Sequence, residues 1–500
     1  MSPFSALFLP EPSFFYTMKK LSILAFALLC LSQSYAQNAS DVLRYSYLQP
    51  SGSARYVGAG GAFGALGAEF GAISQNPAGL AMFRSNELTL TPALRIANSS
   101  AAISGNPEYS DDRSKFGFDN IGLVFNTSPG ESSSWKSFNF GIGYNRQADY
   151  NRAIYYEGDA SGTIMNGYFN DYQTNNVDPF GSEMAYNANA IYEDGNGNLT
   201  YDFAGNENAT VRRSQILNTY GRMNEMAIAF AGNYEEKLMV GATIGVPFVN
   251  YRIEGEYVES DPAEAVDYFD RLTYTEYLRS NGVGINLKLG VIYRITQALR
   301  VGAAFHTPTA ISLTDQYSNT FAYDYTDGSG PNIGEVQNSP DGTFDYKLRT
   351  PWRASASAAV VVKKIGFLSA DVEWVDYSAN RYNFTSDVAS SSNKEYERQV
   401  NNDITRSYRQ AMNARFGAEV VLDEFRLRGG FNLLGKPEEG ATDFNTAFTA
   451  GAGVRGKSFF LDFGYRRGKG VGSITPYTGA PVAETSVVTN DFLLTLGFKF

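Results

Sequence analysis

Apolar and polar residues alternate along much of this chain, and the alternation is clearest at the C-terminus. One set there is apolar: Phe492, Leu494, Leu496, Phe498 and Phe500. The positions between them are Asp491, Thr495, Gly497 and Lys499, beside a lone Leu493. A period of two places these sets on opposite faces of an extended strand. The pattern recurs at 283–294, 299–306, 368–374, 412–420 and 425–431. The sequence therefore predicts an all-β chain.

Successive strands can be placed along the whole chain, and their connections alternate in length. The predicted strands are 86–98, 117–127, 136–157, 222–235, 237–258, 280–295, 297–315, 344–363, 365–383, 406–422, 424–435, 444–456, 457–469 and 488–500. Short turns, as at 363–364 and 423–424, alternate with long loops, of which 158–221 is the longest. A soluble sandwich gives no reason for this alternation, whereas a membrane barrel joins an even number of strands by periplasmic turns and longer extracellular loops. We therefore predict a 14-stranded antiparallel transmembrane β-barrel.

Some local features depart from the strand pattern. Apolar residues follow a helical spacing in two loop segments, so we expect helical turns at 181–192 and 261–279. Prolines also occur within or near the predicted strands, at Pro92, Pro247, Pro308 and Pro351. Because proline has no backbone N–H to donate to a ladder, we expect each one to mark a bulge, a kink or a strand end.

The N-terminus has the pattern of a secretory signal peptide. We assign residues 18–36 to it, because a basic pair, a short apolar run and small residues follow one another there. Residues 1–17 fit no part of this pattern, and we interpret them as an upstream start-site artefact. Cleavage before Gln37 removes the only cysteine, Cys30, so the mature chain has no disulfide framework.

Composition supports a barrel without deciding it. The chain has 35 Phe, 33 Tyr, three Trp, one His and a net charge of −11. A secreted soluble β-protein can share these features. Catalysis is not supported, because cysteine is absent from the mature chain and the single histidine, His306, lies in a predicted strand on the same face as Arg300. The run at 193–198 fits an Asn/Gly turn better than a calcium loop, since Gly205 stands where an acid is needed. We expect no catalytic residue, no metal site and no cofactor.

Charged residues of both signs fall on the faces that would line the lumen. They are Asp371, Glu373, Arg415, Glu419, Arg426 and Arg428. Mixed signs predict internal salt bridges rather than an ion filter of a single sign. A basic residue can also bind the carboxylate of a ligand. The candidates for that contact are Arg152, Arg349 and Arg353.

A stretch rich in Gly and Ala, residues 54–83, precedes the first predicted strand. It contains Gly58-Ala59-Gly60-Gly61-Ala62-Phe63 and ends in Asn76-Pro77-Ala78-Gly79-Leu80-Ala81, and later segments read LRVGAAFHTP at 299–308 and LSADVEWVDYS at 368–378. With these motifs in this order, the chain resembles the FadL/TodX family of outer-membrane transporters for hydrophobic compounds. The resemblance covers essentially the whole mature chain.

The resemblance implies a small N-terminal hatch, residues 37–85, inside the lumen of a barrel formed by 86–500. In the family, long-chain fatty acids or aromatic hydrocarbons bind in an apolar pocket and leave laterally through a kinked third strand into the membrane. The matching hatch or gate residues are Gly60, Gly61, Asn76, Pro77 and Ala78. The hatch side chains that would supply apolar ligand contacts are Phe63, Leu66, Phe70, Ile73 and Phe83. Gly141 and Gly143 are the candidates for the kink.

We therefore expect a passive transporter of hydrophobic small molecules, a monomer among outer-membrane lipids, with no nucleic-acid partner. The aromatic end of the last strand, Phe500, resembles the sorting signal that the outer-membrane assembly machinery recognises. Two other interpretations remain open from the sequence. One is a structural or adhesive barrel whose loops bind a surface partner, and the other is a general porin for small polar solutes.

Overall fold

The computed structural model describes residues 39, 41–130, 132–326, 331–334, 336–384 and 391–500. The predicted start-site artefact and signal peptide lie outside the described residues. Within the described part of the chain, no helix is both long enough and apolar enough to cross a membrane.

The chain is built mainly from β-strands. In chain order they are β1 (Glu87–Ile103), β2 (Tyr109–Thr127), β3 (Trp135–Asp149), β4 (Arg152–Ser161), β5 (Tyr192–Glu193), β6 (Leu199–Thr200), β7 (Thr210–Tyr234), β8 (Leu238–Ser260), β9 (Phe269–Arg294), β10 (Leu299–His306), β11 (Ala310–Thr326), β12 (Pro331–Ile333), β13 (Gln337–Asn338), β14 (Gly342–Arg349), β15 (Arg353–Val362), β16 (Gly366–Asp376), β17 (Arg381–Asn383), β18 (Gln410–Leu422), β19 (Phe425–Gly435), β20 (Phe444–Arg455), β21 (Phe459–Ile474) and β22 (Ala483–Lys499). Apart from the β5–β6 hairpin, they form one antiparallel sheet. The sheet closes into a barrel, because Leu88 of β1 lies opposite both Leu123 of β2 and Phe498 of β22.

Four strands of the barrel are interrupted. The third consists of β3 and β4, which both pair with β7. The seventh consists of β10 and β11, which both pair with β9, and the eighth of β14 and β15, which pair with β11 and β10. The ninth consists of β16 and β17, which pair with β15 and β14. With each interrupted strand counted once, and the short β12 and β13 counted with the eighth strand that they precede, the barrel has 14 strands. The predicted fold class and strand number are confirmed.

The strands extend further than predicted at the end of the barrel that carries the long loops, called here the long-loop end. In the structure the loop predicted at 99–116 covers only 104–108, because the β1–β2 ladder continues as far as the pair of Ala101 with Tyr109. Most side chains of β2 there are polar on both faces, and β1 has Ser and Ala at neighbouring positions, so no clear alternation marks either strand. The backbone still forms its hydrogen bonds between neighbouring strands, and the ladder continues.

The helix predicted at 261–279 is wrong, because β9 begins at Phe269. Opposite it, the register shifts between Asp324 and Tyr325, which leaves one residue of β9 unpaired. This bulge places Phe269 and Leu272 on the same buried face, with exposures of 3% and 0%. Their three-residue spacing therefore comes from a bulge and not from a helical turn. The helical turn predicted at 181–192 is confirmed by a helix over Ser182–Asn187.

The four prolines lie where the ladder is broken. Pro92 stands at a register shift between β1 and β2, and the β8–β9 pairing omits Pro247. Pro308 and Pro351 fall in the interruptions of the seventh and eighth strands. This agrees with the expectation from their missing N–H group.

The two faces of the wall are reversed relative to a soluble protein. On β9, Leu287 and Leu289 point outward and are 39% and 46% exposed, while Lys288 between them points inward and is buried. The same reversal holds on β16, where Leu368 is exposed and Asp371 is buried. An apolar outer belt around a polar lumen is the arrangement of a membrane barrel.

Residues 41–86, called here the luminal segment, lie inside the barrel. They form helix α1 (Asp41–Ser46), helix α2 (Ala54–Gly58) and two 3-10 helices (Phe70–Ser74 and Pro77–Met82). At the long-loop end lie α3 (Met165–Gln173), α4 (Ser182–Asn187), a 3-10 helix (Tyr377–Ala379) and α5 (Ser391–Ser407). Helix α5 lies in a loop for which the sequence indicated no helix.

Candidate functional site

Asn76 joins the luminal segment to itself and to the wall. Its side-chain oxygen accepts a hydrogen bond from Ala78 N–H at 3.1 Å, which caps the 3-10 helix that begins at Pro77. Its Nδ2 donates to the carbonyl oxygens of Gly64, at 2.6 Å, and of Val291 on β9, at 3.3 Å. The side chain is 1% exposed. One residue therefore holds the end of a helix, a second turn of the segment and the barrel wall.

Wall glycines allow the luminal segment to approach the strands closely. A Cβ at Gly290 would lie 2.0 Å from Asn76 Oδ1, and a Cβ at Gly430 would lie 2.4 Å from Gly60 N. Gly60 and Gly61 both have a φ of +69°, a left-handed conformation that glycine adopts without strain. Gly60, Asn76, Pro77 and Ala78 therefore contact the wall, whereas a Cβ at Gly61 would meet Pro50 and Tyr56 of the luminal segment. Their role as a gate stays a prediction.

The five predicted apolar contacts of the hatch are all buried. They are Phe63, Leu66, Phe70, Ile73 and Phe83, with exposures between 0% and 5%. They pack with other residues of the luminal segment and with small wall side chains such as Ala229 and Ala359. None of them is among the residues that line the two luminal cavities described below. Their role as ligand contacts stays a prediction.

Gly141 and Gly143 lie in the regular part of β3, where that strand pairs with both β2 and β7. A Cβ at Gly143 would lie 2.4 Å from the ring of Phe70, and one at Gly141 would lie 3.1 Å from Leu80. At these positions the glycines admit the luminal segment. The interruption of the third strand lies six residues beyond Gly143, between β3 and β4, and not at the two glycines.

Buried ion pairs connect the luminal segment to the wall and cross the lumen. Arg55 lies 3.2 Å from Glu419, which also binds Arg428 at 2.6 Å. Arg428 continues to Asp462 at 2.6 Å. This chain of alternating charges includes one residue of the luminal segment and three of the wall. It pairs each of these four charges with one of opposite sign, as the mixed signs in the sequence predicted.

A second network surrounds Glu373. Arg353 and Arg415 lie 3.1 Å and 3.3 Å from the same carboxylate oxygen, and Asn413 donates to it at 2.8 Å. Arg353 also donates to the carbonyl of Ser46 at the end of α1. The predicted ligand contact Arg353 therefore lies in the lumen but already has partners.

Of the charged residues predicted to face the lumen, five are buried inside the barrel, namely Asp371, Glu373, Arg415, Glu419 and Arg428. Arg426 instead lies at the end of the barrel that carries the short turns, where it donates to the carbonyl of Phe425. Further pairs were not predicted from the sequence, among them Lys288 with Glu225 and Arg95 with Asp491. Lys288 and Arg95 stand between apolar residues of alternating strands, and that position could have indicated that they face the lumen.

Helix α1 fills an apolar pocket above the rest of the luminal segment. Val42 and Tyr45 are 0% and 1% exposed. They belong to a cluster with wall side chains that include Tyr150, Tyr251, Ile311, Leu313, Tyr346, Leu348, Val375, Tyr377 and Tyr382. Arg44 lies over the ring of Tyr251, at 3.8 Å from its centroid. The wall thus offers a large, mainly aromatic surface that α1 covers.

A cavity of about 530 Å³ lies beside α1. Its lining is mixed, with Leu43, Ile154 and Leu217 beside several charged groups. Arg152, the first residue of β4, lines it, and its guanidinium makes no hydrogen bond or ion pair with another described residue. Arg349, the third basic candidate, is exposed on the outer face of β14 and does not reach the lumen. A smaller cavity of about 80 Å³ lies between α1, Lys288, His306 and Arg353.

The wall is not continuous at the third strand. β2 pairs with β3 only over 120–127, and β4 pairs with β7 but not with β2. We call the unpaired stretch between 109–119 of β2 and β4 the wall gap. β4 bends inward there, because its Ile154 packs with Ile103 on the inner face of β1.

A second cavity, of about 400 Å³, lies at the outer side of the wall gap. It shares three lining residues with the large luminal cavity: Arg146, Asp149 and Asn151. Arg146 lies 2.9 Å from Asp149, and Asn151 donates to Asp149 at 3.1 Å. These three side chains are therefore a thin partition between the lumen and the outer face.

Side chains also bridge the wall gap from strand to strand. Arg113 of β2 donates to Asn218 of β7 at 2.7 Å. Its guanidinium lies 4.2 Å from the ring centroid of Tyr220, and Arg252 lies over the same ring at 4.3 Å. The gap is thus closed by side chains and not by a backbone ladder.

Comparison with known proteins identifies the fold. No protein-family model and no curated protein matches the chain. The toluene transporter TodX of Pseudomonas putida superposes with a TM-score of 0.53 at 13% identity, over 91% of this chain and 100% of that chain. A FadL homologue of Pseudomonas aeruginosa gives 0.52 at 13% identity, over 91% and 100%. The toluene transporter TbuX of Ralstonia pickettii gives 0.47 at 14% identity, over 90% and 99%.

The structure defines a closed 14-stranded barrel whose lumen is filled by the chain's own N-terminal segment. Its fold is that of TodX and of the FadL homologue. The resemblance to the FadL/TodX family found in the sequence is confirmed at the level of the fold.

Proposed function

We propose that this chain is a passive channel of the bacterial outer membrane for hydrophobic compounds, which leave the lumen laterally through the wall gap. The observation that carries the proposal is the pair of cavities on either side of the gap, separated by Arg146, Asp149 and Asn151. The long-loop end is then extracellular, and the outer belt of Leu and Phe side chains contacts lipid.

The apolar pocket around α1 is the proposed binding site. Each methylene moved from water into such a surface gains roughly 0.8 kcal/mol. Val42 and Tyr45 now occupy the pocket, so a ligand must displace α1 or bind beside it in the adjacent cavity. Arg152 faces that cavity without a hydrogen-bond or ion-pair partner among the described residues, and it is the residue we propose for the carboxylate of a fatty acid.

The rest of the luminal segment is the proposed gate against water and ions. Its contacts with the wall are made through Asn76 and through the Arg55–Glu419 pair. A ligand that leaves through the wall gap does not require the whole segment to depart. It requires Arg146 and Asp149 to separate and β2 to release its contacts with β7.

The fold neighbours support the chemical class of the cargo. TodX is a toluene transporter. Fatty acids and aromatic hydrocarbons share the property that matters here, a preference for an apolar route over an aqueous pore. The aromatic pocket around α1 fits either class.

The test is uptake of radiolabelled oleate and of labelled toluene by cells with and without this gene. We expect faster uptake of at least one compound in cells that carry the gene. Equal uptake of both would contradict the proposal. Conductance of the purified barrel in planar bilayers distinguishes the porin alternative, because a filled lumen passes almost no steady current. Attachment of cells without any change in uptake or conductance would favour the adhesive alternative.

A further inference from the structure

A group of basic side chains surrounds the outer cavity at the wall gap. Its members are Lys115, Arg222, Arg252 and Arg279. Lys115, Arg222 and Arg279 are exposed, and none of the three makes an ion pair or a hydrogen bond with another described residue. Arg252 lies 3.4 Å from Glu254, but both side chains are about two-fifths exposed, at 41% and 43%. An exposed pair of this kind neutralises little charge.

No carboxylate at the cavity is free to balance these charges. Asp149 lines the inner end, but it already lies 2.9 Å from Arg146 and 3.6 Å from Arg95. The chain as a whole is acidic, with 52 Asp and Glu against 41 Lys and Arg. Inside the barrel the charged networks consist of paired groups. The positive charge gathered at this cavity therefore needs an external anion.

The height of the site on the barrel indicates where that anion comes from. Outward positions along β8 are Ile244, Phe248, Asn250 and Arg252, in that order toward the long-loop end, and the first two are exposed apolar side chains. On β9 the order is Ile285, Val283, Asn281 and Arg279. The basic residues thus begin just beyond the last apolar position. This is the level at which lipid headgroups meet the edge of the hydrocarbon layer.

Apolar side chains border the site. Phe248 and Val283 are 45% and 47% exposed on the outer face, beside Asn250 and Asn281. Phe116 and Phe118, 63% and 41% exposed, lie on the face of β2 opposite Lys115. A soluble anion has no use for such a surface, whereas a lipid can place acyl chains against it while its headgroup contacts the cations. The geometry therefore favours an anionic lipid over a free ion.

We propose that the group of Lys115, Arg222, Arg252 and Arg279 binds the phosphate-bearing headgroup of a lipid in the outer leaflet. Guanidinium and ammonium groups donate charge-assisted hydrogen bonds to phosphate oxygens, and Arg does so in bidentate fashion. The inference rests on the proposed membrane placement but not on transport. A lipid held there lies beside the proposed exit.

The first test needs no variant. The purified full chain is titrated in detergent with bisphosphorylated lipid A and with the same glycolipid after removal of its phosphates, and bound lipid is counted by native mass spectrometry. We expect saturable binding of the phosphorylated form only. Equal affinity for both forms would overturn the proposal, because it would show that only the acyl chains are recognised. Inorganic phosphate that competes as effectively as the lipid would also overturn it.

The second test replaces the three unpaired cations together, as Lys115→Gln, Arg222→Gln and Arg279→Gln. Each charge near an anionic surface contributes enough that we expect roughly 100-fold weaker binding of the phosphorylated lipid. The matched control removes three exposed lysines from the short-turn end, as Lys363→Gln, Lys364→Gln and Lys457→Gln, and should bind like the unmodified chain. Equal loss in both triple variants would overturn the proposal.

Folding of each variant is checked by its shift in electrophoretic mobility on heating. Oleate uptake is measured beside binding. In the first triple variant, lost lipid binding with normal uptake would support this inference and show that uptake does not depend on the bound lipid. Normal lipid binding with lost uptake would contradict this inference and leave the proposed function standing.

Discussion

Arg113 and Tyr220 are in contact although their strands, β2 and β7, are separated in the barrel by the third strand. The Arg113 guanidinium lies 4.2 Å from the centre of the Tyr220 ring, and the same side chain donates to Asn218. The contact forms because β4 has bent inward, where Ile154 packs against Ile103 of β1. The wall is therefore held at this place by two side-chain interactions.

Locking the wall gap should stop lateral exit. We would replace Arg113 and Asn218 by Cys and join them with a short, reducible bifunctional thiol reagent, since the sequence has a single cysteine, Cys30, which lies in the predicted signal peptide. Uptake of labelled oleate should fall at least about tenfold, because β2 and β7 can no longer separate, and a reductant should restore it.

The matched control joins Leu94→Cys to Phe116→Cys. These positions lie opposite each other in the regular β1–β2 ladder, so the bridge restrains strands that are already paired and uptake should be unchanged. Normal uptake with a bridged gap would show that the cargo leaves elsewhere. The two single-cysteine variants report the effect of each substitution alone.

Asn76 should decide how firmly the luminal segment is held. In the Asn76→Ala variant, the hydrogen bonds to Gly64 O and Val291 O and the one from Ala78 N–H are all lost. Each lost contact leaves a buried polar group at a cost of about 1–3 kcal/mol. We expect frequent transient openings in planar-bilayer recordings, where the unmodified chain stays closed.

Asn76→Asp separates the two roles of this side chain. It keeps an acceptor for Ala78 N–H but has no donor for the two carbonyls. If holding the wall is the important function, channels that carry the aspartate substitution should open as often as those that carry alanine. A chain without residues 58–80 gives the fully open reference current. Closed recordings from both variants would contradict a gating role for this residue.

Two neighbouring glycines of β19 give a sharp comparison. A Cβ at Gly430 would lie 2.4 Å from Gly60 N, whereas the nearest atom to a Cβ at Gly429 is 3.9 Å away. Gly430→Ala should therefore displace the luminal segment and lower the stability by about 1–3 kcal/mol, as overpacking does. Gly429→Ala should change little. The measurement is the free energy of unfolding in urea, in lipid vesicles, for both variants. Equal free energies for the two variants would show that the luminal segment can move away from residue 430 without loss of stability.

The strand number followed from the sequence because outward positions such as Leu287 and Leu289 must be apolar in lipid and inward ones such as Lys288 need not be. That alternation disappears beyond the apolar belt. The sequence therefore ended β1 at residue 98, five residues early, and took the bulge at Phe269 for a helix. In both places backbone pairing, which has no side-chain signature, decides the structure.

The site was less accessible to sequence reasoning. The glycines at 141 and 143 suggested a kink, but they make room for Leu80 and Phe70. The actual break, at Asp149, has no glycine. It depends on β4 finding an apolar surface on β1, a contact between distant segments that no local pattern records. The occupation of the aromatic pocket by Val42 and Tyr45 is likewise a tertiary fact.

The buried network at Glu373 should contribute strongly to stability. Its carboxylate balances both Arg353 and Arg415, and all three side chains are less than a tenth exposed. Glu373→Gln keeps the shape and an acceptor for Asn413 but leaves two guanidinium groups without a counter-charge, and breaking a buried ion pair costs about 3–5 kcal/mol. We expect a clear drop in the urea concentration at which the barrel unfolds.

The control is Glu395→Gln in α5, which removes a carboxylate from an exposed pair with Arg398, with side chains 48% and 69% exposed. That change should leave the unfolding midpoint nearly unaffected. Similar midpoints for both variants would show that water in the lumen screens the charges around Glu373.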